Sequence, residues 1–315
     1  MNSSPKCNPK IIFYGTPDFG AFIFDSLIKA GFDIVACITQ ADKPQGRKKE
    51  VITCPVKRIA QDNGILVLQP TSLNDTNLIN KIIELKPDLA VVASYGKIIP
   101  QKLLNIPAKG NLNVHGSLLP KLRGASPIAT AILHGLKETG VTIMLMNAQM
   151  DEGPILSQKN IIIQPEDTSQ TLEEKMKIFG STLLIETICP FLAGKIQAID
   201  QDKSQPSYTM IITKEDGLID WQKSAVEINN QIRAYIPWPS SFTRWQGKQI
   251  KIVEAVVLAD AREPGLVFLH NDEMAIGTTD QSLIIKKIQL EGKRVMLSAD
   301  FLKGYQDIIG DSLPS

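Results

Sequence analysis

Only three histidines and four cysteines occur among 315 residues. The cysteines, Cys7, Cys37, Cys54 and Cys189, are scattered and form no C-x-x-C pair. That spacing offers no zinc cluster, and reduced thiols in a cytoplasmic protein are the expectation. No apolar run approaches the roughly 18 residues of a membrane-spanning helix. The first ten residues, MNSSPKCNPK, are polar and lack the apolar core of an export signal, so they read as a short disordered arm. A formal net charge of +1 neither favours nor excludes a polyanionic partner, which would need a local basic patch. There is no internal repeat and no low-complexity tract.

What is present is an alternation of apolar runs with amphipathic stretches. IIFYGT (11–16), IVACIT (34–39), ILVLQ (65–69), LAVVAS (89–94), the strand opening at 111–114, and GVTIMLM (140–146) read as buried strands. Helical patterns follow the first run and cover 74–85. This order predicts a Rossmann-like, doubly wound, mostly parallel sheet with helices on both faces. Ligands of such sheets bind beyond the carboxyl ends of the strands. A long amphipathic helix is expected at 169–195, a polar linker at 198–217, and a helix near 225–234. KQIKIVEAVV, GLVFLH, MAIGT and SLIIKKIQL then read as the short strands of a small, OB-like β-barrel. The expected organisation is an arm (1–10), a catalytic domain (11–197), the linker, and a C-terminal domain (218–315). Trp238 and Trp245 read as core or interface residues.

GTPDFG (15–20) follows the first strand but fits neither G-x-G-x-x-G nor the phosphate loop, because Ala21 stands where that loop needs lysine. It reads as a tight strand-to-helix turn. Asn113 and His115 are two apart on a strand, so both side chains project from one face. An amide donor beside an imidazole can stabilise an oxyanion and move a proton; a structural histidine fits the pattern equally well. Asp151, in MDEGPI after the last strand, can reach the same sheet end and orient the imidazole. No nucleophile motif accompanies them, which favours direct attack by an amine or water. Residues 41–58, ADKPQGRKKEVITCPVKR, carry Lys43, Arg47, Lys48, Lys49, Lys57 and Arg58 against two acids. Such a loop reads as either a solvated face or a phosphate-contacting patch.

IIFYGTPDFG, ITQADKPQGRKK with CPVK, VVASYGKIIP, NVHGSLLPKLRGASPI, GVTIM, IDW and YIPWP occur in one order over nearly the whole chain. Together they resemble the folate-dependent formyltransferases, and the resemblance narrows to the branch that acts on methionyl-tRNA. It implies Asn113, His115 and Asp151 as the catalytic residues. It implies Ser117, Leu118, Leu119 and Pro120, with Tyr95, Gly96, Ile98 and Ile99, as the walls of the folate site, the last four mostly through backbone. It implies contact of Lys43, Arg47, Lys48 and Lys49 with initiator tRNA, 10-formyltetrahydrofolate as formyl donor, no metal, a monomer, and a cytoplasmic location. Many relatives read Leu-Asp-Thr-Gly-Asp where this chain has MDEGPI, which leaves Glu152 as a rival acid and puts the surroundings of Asp151 in doubt. Formylation of a sugar-nucleotide amine, or hydrolysis of the donor, would use the same three residues. In the C-terminal domain, Lys248, Lys251, Lys286 and Lys287 are candidate tRNA contacts if they share a face.

Overall fold

The computed structural model describes residues 7–45 and 50–314, with the backbone alone for 43–45 and 50–52. Arg47, Lys48 and Lys49 therefore lie outside the described residues. The chain forms two compact units, one of residues 1–125, 139–161 and 173–209 and another of 126–138, 162–172 and 210–315.

In chain order the first unit holds β1 (Lys10–Gly15), α1 (Asp18–Lys29), β2 (Asp33–Ile38), β3 (Lys43–Gln45), β4 (Glu50–Ile52), α2 (Pro55–Asp62), β5 (Leu66–Leu68) and α3 (Thr76–Leu85). It continues with β6 (Leu89–Ala93), α4 (Gln101–Leu104), β7 (Asn111–His115) and β8 (Arg123–Gly124). After α5 (Pro127–Leu133), which groups with the second unit, come β9 (Glu138–Leu145), β10 (Ile155–Ile162), α6 (Ser169–Leu192) and β11 (Tyr208–Thr209).

Seven strands form one sheet in the order β10-β9-β7-β6-β1-β2-β5. β5, β2, β1, β6 and β7 are mutually parallel, while β9 runs antiparallel to β7. The order reverses between β1 and β6, the switch point of a doubly wound sheet. β1 and β6 are buried on both faces, which is why they read as unbroken apolar runs. The GTPDFG turn closes the gap between them. A Cβ on Gly20 would lie 2.6 Å from the Ala93 carbonyl oxygen, so α1 abuts the end of β6. α6 presents Met176, Gly180, Leu184 and Ile188 at helical spacing, and Gly180 lets it approach Val114 of β7 and Val141 of β9.

Three expectations need correction. Cys7 and Cys189 are not free thiols: their Cα atoms are 5.6 Å apart and they form a disulfide, leaving Cys37 and Cys54 as free cysteines. Residues 7–9 are therefore tied to α6, and β1 already begins at Lys10, inside the stretch expected to be a disordered arm. Part of the stretch expected as a linker is likewise bonded to the first unit. Ile199 bridges Ile155, and β11 pairs in parallel with β8.

The second unit contains α7 (Ala225–Ala234), β12 (Ser241–Trp245), β13 (Lys248–Leu258), β14 (Val267–His270), β15 (Glu273–Gly277), β16 (Ser282–Leu290), β17 (Met296–Leu297) and α8 (Ser298–Leu302). Its antiparallel sheet runs β12-β13-β16-β15-β14, with β17 on β16. The C-terminal segment reaches both ends of that path. Its backbone bonds to β14 through Val267, and Asp311 and Pro314 accept from Trp245 and Thr243 of β12. Both edges are thus covered. Trp245 and Trp221 lie in the core, whereas Trp238, at 58% exposed, does not. On β16, Lys286 is paired with Glu273 and Lys287 with Glu254, so each has an acidic partner.

Candidate active site

β7 delivers Asn113 and His115 to one face at the end of the sheet, and the loop after β9 brings Asp151 to them. The Asn113 amide donates to Asp151 Oδ1 at 3.4 Å, and His115 Nδ1 stands 3.7 Å from Asp151 Oδ2. The three groups surround one spot. His115 Nε2 lies 3.0 Å from the Leu122 carbonyl oxygen. A carbonyl only accepts, so Nε2 carries the proton and Nδ1 is the nitrogen turned toward the carboxylate. The Nδ1 gap is too long for a direct hydrogen bond, which leaves room to share a proton with a third group. One Asn113 hydrogen likewise remains for a ligand.

The backbone around these residues is held in unusual conformations. Leu122 has φ 58°, which aims its carbonyl at the imidazole, and its N–H donates to Ser207 Oγ at 2.8 Å. Gly124 has φ 110°, and a Cβ there would lie 2.8 Å from Thr209 Oγ1. Its N–H donates to Asp151 Oδ2 at 2.8 Å. Asp151 itself is left-handed at φ 54°, a conformation that aspartate tolerates better than most residues. Two residues on, a Cβ on Gly153 would fall 1.6 Å from the Leu145 carbonyl oxygen, so the loop must pass flat against β9. Glu152 is no rival to Asp151. It pairs with the buried Arg123 at 2.9 Å.

The residues expected to wall the folate site divide by role. Ser117 donates to the Lys121 carbonyl at 2.6 Å. The Thr142 hydroxyl donates to Ser117 O at 2.6 Å and accepts from Leu119 N–H at 3.1 Å. Gln158 Nε2 caps Leu119 O at 2.9 Å. The 117–120 segment is therefore held rigid, with Leu118 lying over Gly140. Tyr95 and Ile99 turn into the core, and Ile98 is 91% exposed. The Tyr95 hydroxyl is buried among apolar side chains, which pushes its pKa up to about 12. Its carbonyl accepts from Gln40 Nε2 at 2.8 Å, so the left-handed Gly96 that follows sits on a fixed support.

β3 and β4 pair as a hairpin at the start of the basic loop. Its base is anchored by Asp42, which accepts from Lys57 and from Gln69 Nε2 at 3.1 Å. The Lys57 hydrogen bond, aided by Gln69 and the Cys54 N–H and opposed by burial, holds the Asp42 carboxyl below the usual carboxylate range.

The formyl transferase family model matches residues 9–188, and that of the formyl transferase C-terminal domain matches 211–306. The chain is 38% identical over 298 residues to the methionyl-tRNA formyltransferase of Geobacter sulfurreducens, covering 94% of each. The chain belongs to the formyl transferase family. Among solved structures, the N-formyltransferase of Helicobacter canadensis, in complex with folinic acid and dTDP-3-aminofucose, matches with TM-score 0.67 at 20% identity. That match covers 88% of this chain and 98% of the other. A HypX variant from Aquifex aeolicus matches with TM-score 0.65 at 16% identity over 97% of this chain, which spans about half (49%) of that longer protein. At these identities the structural matches speak for the formyl transferase fold alone. Arg123, Gln201, Gly124 and the Leu122 carbonyl, all joined to the site, were not singled out from the sequence.

Proposed function

We propose that this chain transfers the formyl group of 10-formyltetrahydrofolate to the free amino group of initiator methionyl-tRNA, as a cytoplasmic monomer. The observation that carries the reading is the meeting of Asn113, His115 and Asp151 around one spot, at 3.4 and 3.7 Å. An amide, an imidazole and a carboxylate so placed suit attack of an amine on a formyl carbon. The similarity to methionyl-tRNA formyltransferases along nearly the full length, C-terminal unit included, favours methionyl-tRNA as the acceptor over a sugar-nucleotide amine or water. Among the described residues no helix is long and apolar enough to cross a membrane.

The folate donor, when bound, supplies an activated formyl carbon. The chain's residues do the rest. Asn113 donates its second amide hydrogen to the formyl oxygen as negative charge builds there. His115 in its protonated form donates from Nδ1 to the same oxygen; one such donor is worth about 3 kcal/mol. Asp151 holds Asn113, takes up through a water the proton lost by the attacking amine as the new C–N bond forms, and returns a proton to N10 of the folate as the bond from N10 to the formyl carbon breaks. Walls at 117–120 and 95–99 would hold the folate. Lys43, Arg47, Lys48 and Lys49 would meet tRNA phosphates from the hairpin anchored at Asp42.

His115→Ala tests the assignment under saturating donor and acceptor. We expect kcat to fall by roughly 100-fold or more with the tRNA dissociation constant changed less than about twofold. Near-normal turnover would remove His115 from the chemistry.

A further inference from the structure

We propose that Arg123 and Gln201 are positioning residues that hold Asp151 in its working conformation, an inference that rests on the role proposed for Asp151 above. Gln201 is buried, and its Nε2 donates to the backbone carbonyls of Asp151 and Gly153, each at 2.8 Å. These two bonds bracket the left-handed turn at Asp151 through its main chain. A glutamine amide fits its pocket in either of two orientations, and only its neighbours decide which end presents N–H. Arg123 decides it here. Its Nε and Nη2 both donate to Gln201 Oε1, at 3.1 and 2.8 Å, so the NH2 end must face the Asp151 loop.

Arg123 is itself fixed. It is 4% exposed, Glu152 accepts from Nη1 at 2.9 Å, and the Tyr208 ring centroid lies 5.9 Å from its guanidinium carbon. The next residue, Gly124, gives its N–H to the Asp151 carboxylate. Arg123 and its neighbour therefore grip Asp151 twice, through Gln201 at the main chain and directly at the side chain. Glu152 supplies the counter-charge that lets a guanidinium stay buried beside the site.

Gln201→Glu keeps the acceptor that Arg123 needs and removes both donors to the loop. Single-turnover formyl transfer from 10-formyltetrahydrofolate to charged initiator tRNA should slow by roughly 10- to 100-fold, since misplacing a catalytic group by about 1 Å costs that order. KM for both substrates should stay within about twofold, and the same substitution in an Asp151→Asn background should change the rate less than about threefold, because its route to the chemistry is gone. A rate within twofold of the starting protein, or an equal loss in both backgrounds, would overturn the proposal. If Gln201→Glu does not fold, Arg123→Lys is read by the same outcomes, since an ammonium cannot span Oε1 with a two-pronged fork. Full turnover by Asp151→Asn alone would instead overturn the role of Asp151, a separate result.

Discussion

At the residue scale, an amide, an imidazole and a carboxylate lie within hydrogen-bond reach or just beyond it, and in the proposed reaction each has a separable job. In that reaction Asn113→Ala removes a donor proposed to act only as charge develops on the formyl oxygen. It should lower kcat by about 10²- to 10³-fold with little change in either KM, read by steady-state kinetics. Asp42 belongs to another part of the unit and tests something else. Its carboxyl is held below the usual range by Lys57, so it contributes stability above the unfolded-state pKa and loses it as pH falls through the lower folded value. Asp42→Asn should therefore lower unfolding free energy by about 1 kcal/mol near neutral pH, and the difference from the native chain should close below roughly pH 4. Urea titrations at several pH values would show it; a gap independent of pH would remove the ion pair as its cause. Asn113 and His115 were legible as partners because a strand's period of two puts them on one face. Leu122, Gly124 and Gln201 were not, because they act through main-chain groups aimed by φ values of 58° and 110°, or through an amide whose orientation Arg123 decides.

At the element scale, close approach of backbones governs the site. Gly153 lies flat on β9 and Gly20 on the end of β6, and neither has space for a methyl group. Gly153→Ala and Gly20→Ala should each destabilise the chain by about 1–3 kcal/mol in chemical denaturation, and only the former should also slow turnover, because it displaces the Asp151 loop. Equal effects on turnover would separate the loop from the chemistry. The parallel strands were legible because burial on both faces leaves unbroken apolar runs. β10 was not: ILSQKNII carries four consecutive polar residues on an outer strand with an open face. The antiparallel sense of β9 was equally hidden, since a run such as GVTIMLM does not encode its partner's direction. β8 and β11, two residues each, are fixed only by tertiary pairing.

At the scale of the whole molecule, contacts between distant parts of the chain escape any local pattern. Cys7 and Cys189 are 182 residues apart, so nothing in their spacing announces the bond. Thiol titration of the oxidised protein in denaturant should find two reactive thiols, from Cys37 and Cys54; four would contradict the pairing. Residues 126–138 and 162–172 likewise group with the C-terminal unit, through Arg233 to the Asp167 carbonyl at 2.7 Å among other bonds, where sequence order assigned them to the first. Purified protein should be given 10-formyltetrahydrofolate with charged initiator tRNA, uncharged initiator tRNA, charged elongator tRNA, or a sugar-nucleotide amine, and the formylated product counted. Product should form rapidly with charged initiator tRNA and not at all with the uncharged tRNA or the sugar; formylation of the sugar amine in preference to methionyl-tRNA, or release of formate alone, would contradict the proposed reaction.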